Sequence, residues 1–594
     1  MKGRKLTPLL VIVAGLLAYQ NGFTGPFIFD DVLSITENPS IQHLWPIWQC
    51  LTARHSGGLT VEGRPLINLS LAINYAIDGY KVWGYHAFNL IVHILAGLTL
   101  LGIVRRTLLR PAPMRSGPAL RDRFGAMASE LAAAVAVLWT VHPLQTESVT
   151  YVIQRAESIM GLFYLLTLYC FIRGAESPPA GDEKWFMGNS SWTRLWYGLS
   201  VAACALGMAS KEVMVTAPVM VLLYDRTFVS GSFREAWRRR WPLYFGLAAT
   251  WVLLGFVLVY GQLPATERTA EQLGLSWWQY FLTEPGVILH YLRLSVWPHP
   301  LCFDYYGWPV PATWTAILVP AVVMAIVLGA TVSMLKTNSG WGFVGAWFFL
   351  ILAPTSSVVP LDSPAYEHRM YLPLAAVVVV VVFAIQALAP TPKPGWMGRR
   401  TVAVLAALVI VMGFLTWRRN RDYRSDLAIW TDTVARRPDN SRAHNYLGAA
   451  LWQAGKIREA ISQYGQALEL KPDYPDAQYN LGNALFAFGK VQEAAGHWEQ
   501  AVRIDPGYVD ARNNLGAFLA QTGHLEGAAE QFEAVLRITP DDPDVHYNLA
   551  RTLEQLGRVP EAIAHYEQAL RLKPDYPEVR TRLARLQVGR GNGP

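Results

Sequence analysis

The sequence predicts an all-α protein in two parts, a polytopic bundle of membrane helices up to about Trp417 followed by an α-solenoid. Three observations predict it. The chain of 594 residues is 52% hydrophobic and 16% charged, with 22 Trp, a mixture that suits membrane and water-exposed parts better than one globule. Up to Trp417 it runs as apolar blocks, each long enough or nearly so to cross a bilayer. After Arg418 it becomes polar, charged and periodic.

The net charge of +7 is a topology signal and argues against nucleic-acid binding. Arginines cluster in short loops between apolar blocks, at Arg105–Arg123 (RRTLLRPAPMRSGPALRDR) and Arg226–Arg240 (RTFVSGSFREAWRRR), where cytoplasmic charge belongs. A basic binding face would instead gather its charges on one folded surface. Four cysteines exclude a disulfide framework; Cys170 and Cys204 sit in apolar spans, and Cys50 and Cys302 would both lie outside the cytoplasm. The start MKGRK precedes an apolar run with no small-residue cleavage site, so the first span is expected to stay uncleaved.

With Lys2, Arg4 and Lys5 inside, the first span (Leu6–Gln20) delivers Asp30 and Asp31 to the outer side. His86–Val104 returns to the first arginine-rich loop, Ala126–Val141 exits again, and Ser158–Arg173 comes back. Trp196–Ala209 and Val213–Tyr224 meet outside at Lys211–Glu212, and Trp241–Tyr260 exits a further time. The block Trp277–Trp297 carries Glu284, Pro285, His290 and Arg293, costly on a lipid-facing helix, and is expected to be re-entrant or interfacial. Thr313–Leu335, Trp341–Val359, Leu372–Ala389 and Val402–Trp417 complete eleven spans. On that count Lys393, Arg399 and Arg400 lie inside and the C-terminal part outside. Were Trp277–Trp297 to span, the parity would flip and put the C-terminal part in the cytoplasm, the side that the basic run Arg418–Arg421 favours.

A linker helix over 418–439 leads to four 34-residue blocks, Asn440–Asp473, Tyr474–Gly507, Tyr508–Asp541 and Asp542–Asp575, with a capping helix beyond. Leu447, Leu481, Leu515 and Leu549 share one phase; so do Gly455, Gly489, Gly523 and Gly557, Ala460, Ala494, Ala528 and Ala562, and Pro472, Pro506, Pro540 and Pro574. Small residues let paired helices approach, glycine ends the first helix and proline ends the second. The pattern resembles the tetratricopeptide repeat (TPR), whose solenoids offer a concave surface to a partner. Asn480, Asn514 and Asn548 precede the shared leucine in three repeats, with Tyr446 in the first. In the similar repeats of O-GlcNAc transferase, such asparagines hold peptide backbone, because an amide both donates and accepts. The alternative is a plain consensus residue.

The topology strands charged groups at the outer ends of spans: Asp30 and Asp31, Glu62 and Arg64, His142, Glu147, Arg155 and Glu157, Lys211 and Glu212, Asp304, and Glu367, His368, Arg369 and Tyr371. Ion pairing between loops can explain any one of them; a shared polar site explains the set. The ordered stretches FIFDDVLSITENPSI, GRPLINLSLAINYAIDGY, GYHAFNLIVHILAG, VHPLQTESVTYVIQRAE, SKEVMVTAPVMVLLYD, LCFDYY and HRMYLP, ahead of TPR repeats, resemble the transmembrane-and-TPR O-mannosyltransferases of the GT-C glycosyltransferase fold, as a bacterial relative. The connection between the fifth and sixth spans and the last membrane loops match only loosely, so donor and acceptor choice do not transfer.

The resemblance implies an enzyme of the cell (bacterial inner) membrane, with active site and repeats outside the cytoplasm. It would move a hexose, mannose in that family, from a polyprenyl-phosphate carrier to an acceptor hydroxyl with inversion. The partners implied are that lipid-linked sugar, membrane lipid and a polypeptide held by the TPR groove. The acidic pair Asp30 and Asp31 would supply the base, with Asp30 favoured. Arg155, Lys211 and Arg369 would meet the phosphate, with Glu157 and Glu367 positioning them. His142 would contact sugar or phosphate, or else cap a helix. No cofactor is implied; two aspartates can hold a hard cation, but arginines can serve a monophosphate, so metal independence is expected. Two rival functions remain: a lipid or glycan acceptor with the repeats recruiting other proteins, and a non-catalytic membrane scaffold or transporter subunit. Transporters bury charges mid-span within inverted repeats, a pattern not evident here.

Overall fold

The computed structural model describes residues 6–51, 61–111, 120–176, 191–260, 276–311, 313–356, 363–388 and 397–591. Lys2, Arg4, Lys5, Lys393, part of the loop 105–123 and the end of the expected span Trp341–Val359 lie outside these residues. The chain divides into two units, Met1–Asp432 and Thr433–Pro594.

Among the described residues the first unit is built from helices, numbered here when they have eight residues or more: α1 Thr7–Tyr19, α2 Pro65–Asp78, α3 Val82–Leu109, α4 Ala128–Thr140, α5 Arg155–Glu176, α6 Ser191–Met208, α7 Ala217–Tyr224, α8 Phe233–Tyr260, α9 Trp277–Val296, α10 Trp314–Lys336, α11 Gly340–Leu352, α12 Leu374–Leu388 and α13 Arg399–Arg419. Among the described residues, six helical segments are long and apolar enough to cross a bilayer: Val82–Leu109, Val152–Glu176, Glu212–Ser230, Phe233–Val259, Trp314–Lys336 and Arg399–Arg424. The bent pair Gly125–Thr140 and Pro143–Thr150 would make a seventh, and α1, α11 and α12 are shorter apolar helices. Neither α6 nor α9 is among these spans.

Propensity alone misreads α12, whose run VVVVVV favours a strand in water. In hydrocarbon a lone segment satisfies its backbone only as a helix, and the environment overrides the side-chain preference. In α8 the backbone breaks at Arg240 (φ −139°), just before Pro242. There the Arg240 guanidinium donates to both oxygens of Asp225 at 2.9 and 3.0 Å and to Tyr197 Oη at 2.9 Å, so the charge is paired where the helix bends. Elsewhere polar N-caps start helices, as where Ser276 and Gln279 form a capping box on α9.

The core of the unit is formed largely by α3, α4, α5, α7, α11 and α12. Its packing is tight at glycines. Gly161 lies against the Tyr371 ring, which a Cβ there would overlap. All four cysteines are free and buried.

The second unit is a solenoid of antiparallel helix pairs. After α14 (Asp426–Arg436), which begins in the first unit, come α15 Ser441–Gln453, α16 Ile457–Leu470, α17 Pro475–Ala487, α18 Val491–Ile504, α19 Val509–Gln521, α20 Leu525–Ile538, α21 Pro543–Gln555, α22 Val559–Leu572 and the closing α23 Pro577–Gly591. Gly455, Gly489, Gly523 and Gly557 have φ of +73°, +89°, +83° and +76°, the left-handed turn between the helices of each pair. Ala460, Ala494, Ala528 and Ala562 are fully buried.

A side-chain latch recurs every 34 residues. His444, Gln478, Arg512, His546 and Arg580 each donate to the carbonyl of the proline six residues earlier, at 3.0, 3.3, 2.8, 3.0 and 2.9 Å. The first four also bond a side chain nineteen residues later, Gln463, His497, Gln531 and His565. The latch satisfies carbonyls that the end of a helix leaves open.

Replacing Gly161 by Ala should cost about 1–3 kcal/mol of stability through overpacking against Tyr371. It will read as a lowered thermal midpoint of the solubilised protein. Gly198→Ala, inside α6 where a Cβ meets nothing within 4 Å, should leave the midpoint unchanged or raise it slightly.

Candidate functional site

The residue before the acidic pair adopts an unusual backbone: Phe29 has φ +47°. That conformation is a true outlier for a bulky side chain and costs about 1–3 kcal/mol, so the surroundings must impose it. Asp30 and Asp31 follow at the start of a short helical turn and have different environments. Asp31 is fully buried; its carboxylate accepts the backbone N–H of Ile28 at 3.1 Å and of Ile153 at 2.7 Å. Burial raises its pKa to about 8, against the pull of those two bonds. Asp30 is half-buried, and its backbone N–H donates to Tyr151 Oη at 3.0 Å. Asp31 therefore ties the first loop to the segment before α5.

A chain of buried ionisable groups links three other loops. Lys211 Nζ donates to Glu157 Oε1 at 2.6 Å, with 7% and 3% of the two side chains exposed. Glu157 Oε1 lies 3.9 Å from His368 Nε2. On its other side His368 donates to Glu147, from Nδ1 at 2.6 Å and from the backbone N–H at 2.8 Å. Burial, aided by Lys211, holds the His368 pKa well below its ordinary value, so the ring is neutral. The neighbouring Glu367 Oε1 accepts the Cys302 N–H at 2.6 Å and the Tyr305 hydroxyl at 2.8 Å. Burial pushes its pKa up to about 8, against the pull of Arg419. At the rim Arg64 pairs with Glu212 at 3.4 Å.

The other residues expected at the phosphate have partners of their own. Arg155 is fully buried and donates to Asn74 Oδ1 at 2.6 Å and to the Tyr85 carbonyl at 3.2 Å, its guanidinium 4.8 Å from the Phe88 ring centre. It anchors α2 and α3 to α5. Arg369 donates to the carbonyls of Pro364 and Ser363 at 2.5 and 2.9 Å and lies over the Tyr366 ring, shaping its own loop. His142 is a cap: Nδ1 accepts the Leu144 N–H at 3.2 Å and Nε2 donates to the Ser295 carbonyl at 3.1 Å. Tyr371 is fully buried, its hydroxyl 2.9 Å from His93 Nδ1, and belongs to the helix core. These bonds occupy the groups through which His142 and Tyr371 would touch sugar or phosphate.

Sequence reasoning missed an aromatic cluster and a cation. Phe303 meets Tyr151, Trp430, Tyr423 and Phe29 edge to face, with ring centres 5.2, 5.3, 5.8 and 6.1 Å away. Arg419, at the end of α13, donates to Asp432 at 2.7 Å and to Asp422 at 3.0 Å. The motif LCFDYY held a signal for Phe303; for Trp430, in a polar helix of ordinary appearance, there was none.

On the repeats, the half-buried amides of Asn480 and Asn514 donate to Asn445 Oδ1 at 3.0 Å and Asn483 Oδ1 at 2.9 Å in the preceding repeat. Each bond orients its amide and uses one N–H. Asn548 and Tyr446 occupy equivalent, half-buried positions.

Comparison with known proteins adds to this geometry. A tetratricopeptide repeat family model matches residues 418–475, 450–509, 479–543 and 519–577. Protein O-mannosyl-transferase Tmtc3 of Drosophila melanogaster is 24% identical over 519 residues, 78% of this chain and 55% of the relative. Protein O-mannosyl-transferase TMTC1 of Homo sapiens is 24% identical over 507 residues, 78% of this chain and 54% of its own length. The chain thus spans little more than half of these relatives. Among solved structures, MamA is 23% identical over 25% of this chain and 86% of its own, with a TM-score of 0.24.

Two outcomes test these contacts. Lys211→Met alone should destabilise by about 3–5 kcal/mol, because it strands a buried Glu157 charge, and Lys211→Met with Glu157→Gln should recover much of that loss. For Glu367, a folded pKa of about 8 lies above the unfolded carboxylate value, so the folded state holds a proton that the unfolded chain releases. Its contribution to stability is present below the unfolded value and is lost as pH rises toward 8. Thermal midpoints should fall across that window, and Glu367→Gln should flatten the decline.

Proposed function

We propose that this chain is a membrane glycosyltransferase that moves a hexose from a polyprenyl-phosphate carrier to a hydroxyl of a polypeptide acceptor. The observation that carries the reading is the division of labour in the acidic pair: Asp31 is consumed by two backbone N–H groups, and Asp30 sits half-buried on a strained turn beside it. Similarity to O-mannosyl-transferases over 78% of the chain supports the reaction class.

In the reaction, the acceptor oxygen attacks the anomeric carbon opposite the phosphate. The bond from that carbon to the phosphate oxygen breaks, the configuration inverts, and the polyprenyl phosphate leaves with the bonding electron pair. Asp30 takes the hydroxyl proton, a role worth about 10²–10⁴ in rate. Asp31 fixes the loop that carries it. Lys211 and Arg369 supply positive charge toward the leaving phosphate. Glu157 holds Lys211 in place, and Glu367 holds the segment around Cys302. Arg155 contributes by locking α2, α3 and α5 together. The repeats bind the acceptor polypeptide, with Asn480, Asn514 and Asn548 offering amides to its backbone.

The test is transfer by purified full-length protein from a polyprenyl-phosphate hexose to a Ser/Thr peptide. Asp30→Asn should lower kcat by at least about 10²-fold with the protein folded. Asp31→Asn should act mainly through a lowered thermal midpoint. Wild-type kcat in Asp30→Asn would remove Asp30 as the base. Transfer to a glycan or lipid hydroxyl but to no peptide would replace the acceptor class.

A further inference from the structure

The Asp30 backbone N–H donates to Tyr151, and the neighbouring Phe29 holds a conformation that its side chain does not choose. Something must hold that turn. The Phe29 ring meets Trp430 edge to face, with ring centres 5.4 Å apart at 81°, and meets Phe303 at 6.1 Å and 76°. Trp430 and Phe303 meet each other at 5.3 Å and 80°, and Phe303 meets Tyr151 at 5.2 Å. The ring of contacts closes, because the Tyr151 hydroxyl accepts the Asp30 N–H. Edge-to-face pairs of this kind are directional, so they fix ring orientation as well as bury area.

Trp430 comes from α14, the helix that leads into the repeats, and is 1% exposed. Arg419 clamps that helix through Asp432 at 2.7 Å, which sets how deeply the indole reaches. We infer that Trp430 is a positioning residue for Asp30, acting through Phe29, an inference that rests on the reading of Asp30 as the base. The indole braces the Phe29 ring, the braced ring keeps the backbone left-handed, and that backbone fixes the direction of the next carboxylate. Misplacing a catalytic group by about 1 Å costs about 10²-fold in rate.

The experiment measures kcat and KM for donor and acceptor in Trp430→Ala, Trp430→Phe and Phe29→Gly, with Asp30→Asn alongside, all as full-length protein normalised to the folded fraction. Trp430→Ala should lose about 10–100-fold in kcat with both KM values within about twofold of wild type. Trp430→Phe, which keeps an aromatic edge, should stay within about threefold. Phe29→Gly keeps the left-handed backbone without strain but loses the ring. Relief of backbone strain offsets part of the lost ring packing, so it should remain folded and still lose kcat as Trp430→Ala does. Wild-type kcat per folded molecule in Trp430→Ala or Phe29→Gly overturns the inference, as does a loss carried by KM alone. If Asp30→Asn is inactive while both variants keep kcat, only this inference falls. If Asp30→Asn transfers as wild type, the assignment of the base falls first and this inference with it.

Discussion

A buried charge must bring its counter-charge with it, and several loops of the first unit are arranged around that requirement. The chain Lys211–Glu157–His368–Glu147 joins three loops far apart in sequence, and each member is nearly sealed from solvent. Desolvating any one of these groups alone would cost several kcal/mol. Lys211 satisfies Glu157, and the neutral His368 ring satisfies Glu147, so moving one of these loops away from its partner breaks a buried contact. Asp31 works by the same rule with dipoles in place of charges, since two backbone N–H groups converge on its carboxylate. Asp30 follows the strained Phe29 and is half-buried where Asp31 is sealed.

The repeats obey a different constraint. Each helix pair has one apolar face and cannot bury it alone, so neighbours must stack in a fixed register. Left-handed glycines set the turn within each pair, and the latch onto the proline carbonyl sets the approach between pairs. Two of the asparagine amides, Asn480 and Asn514, are bonded to the previous repeat, at Asn445 and Asn483, which orients each of them.

Much of this was legible in the residues. A 34-residue period in four residue types predicts the solenoid, and apolar length predicts the long membrane helices. The loops carrying Asp30, Glu147, Glu157, Lys211 and His368 stand out because charge beside a membrane is costly. Partner choice was not legible. Arg155 presented the same signal as Lys211, yet its guanidinium turns inward to Asn74 and Tyr85, 81 and 70 residues away in sequence. Arg419 was read as part of a basic run that reports topology, whereas the fold spends it on Asp422 and Asp432. The left-handed Phe29 and the indole of Trp430 left no local trace, since neither composition nor periodicity encodes which ring meets which.

The latch of the repeat unit has a wider consequence. At one position of successive repeats it is made by His, Gln, Arg, His and Arg, and all five reach the same carbonyl. What is kept is a donor of suitable length rather than a particular side chain. Such an interface is modular: a whole repeat can be duplicated or lost, and the new neighbours still find a donor facing a proline carbonyl. A solenoid joined through such contacts can lengthen or shorten by whole repeats with the same kind of interface at every join.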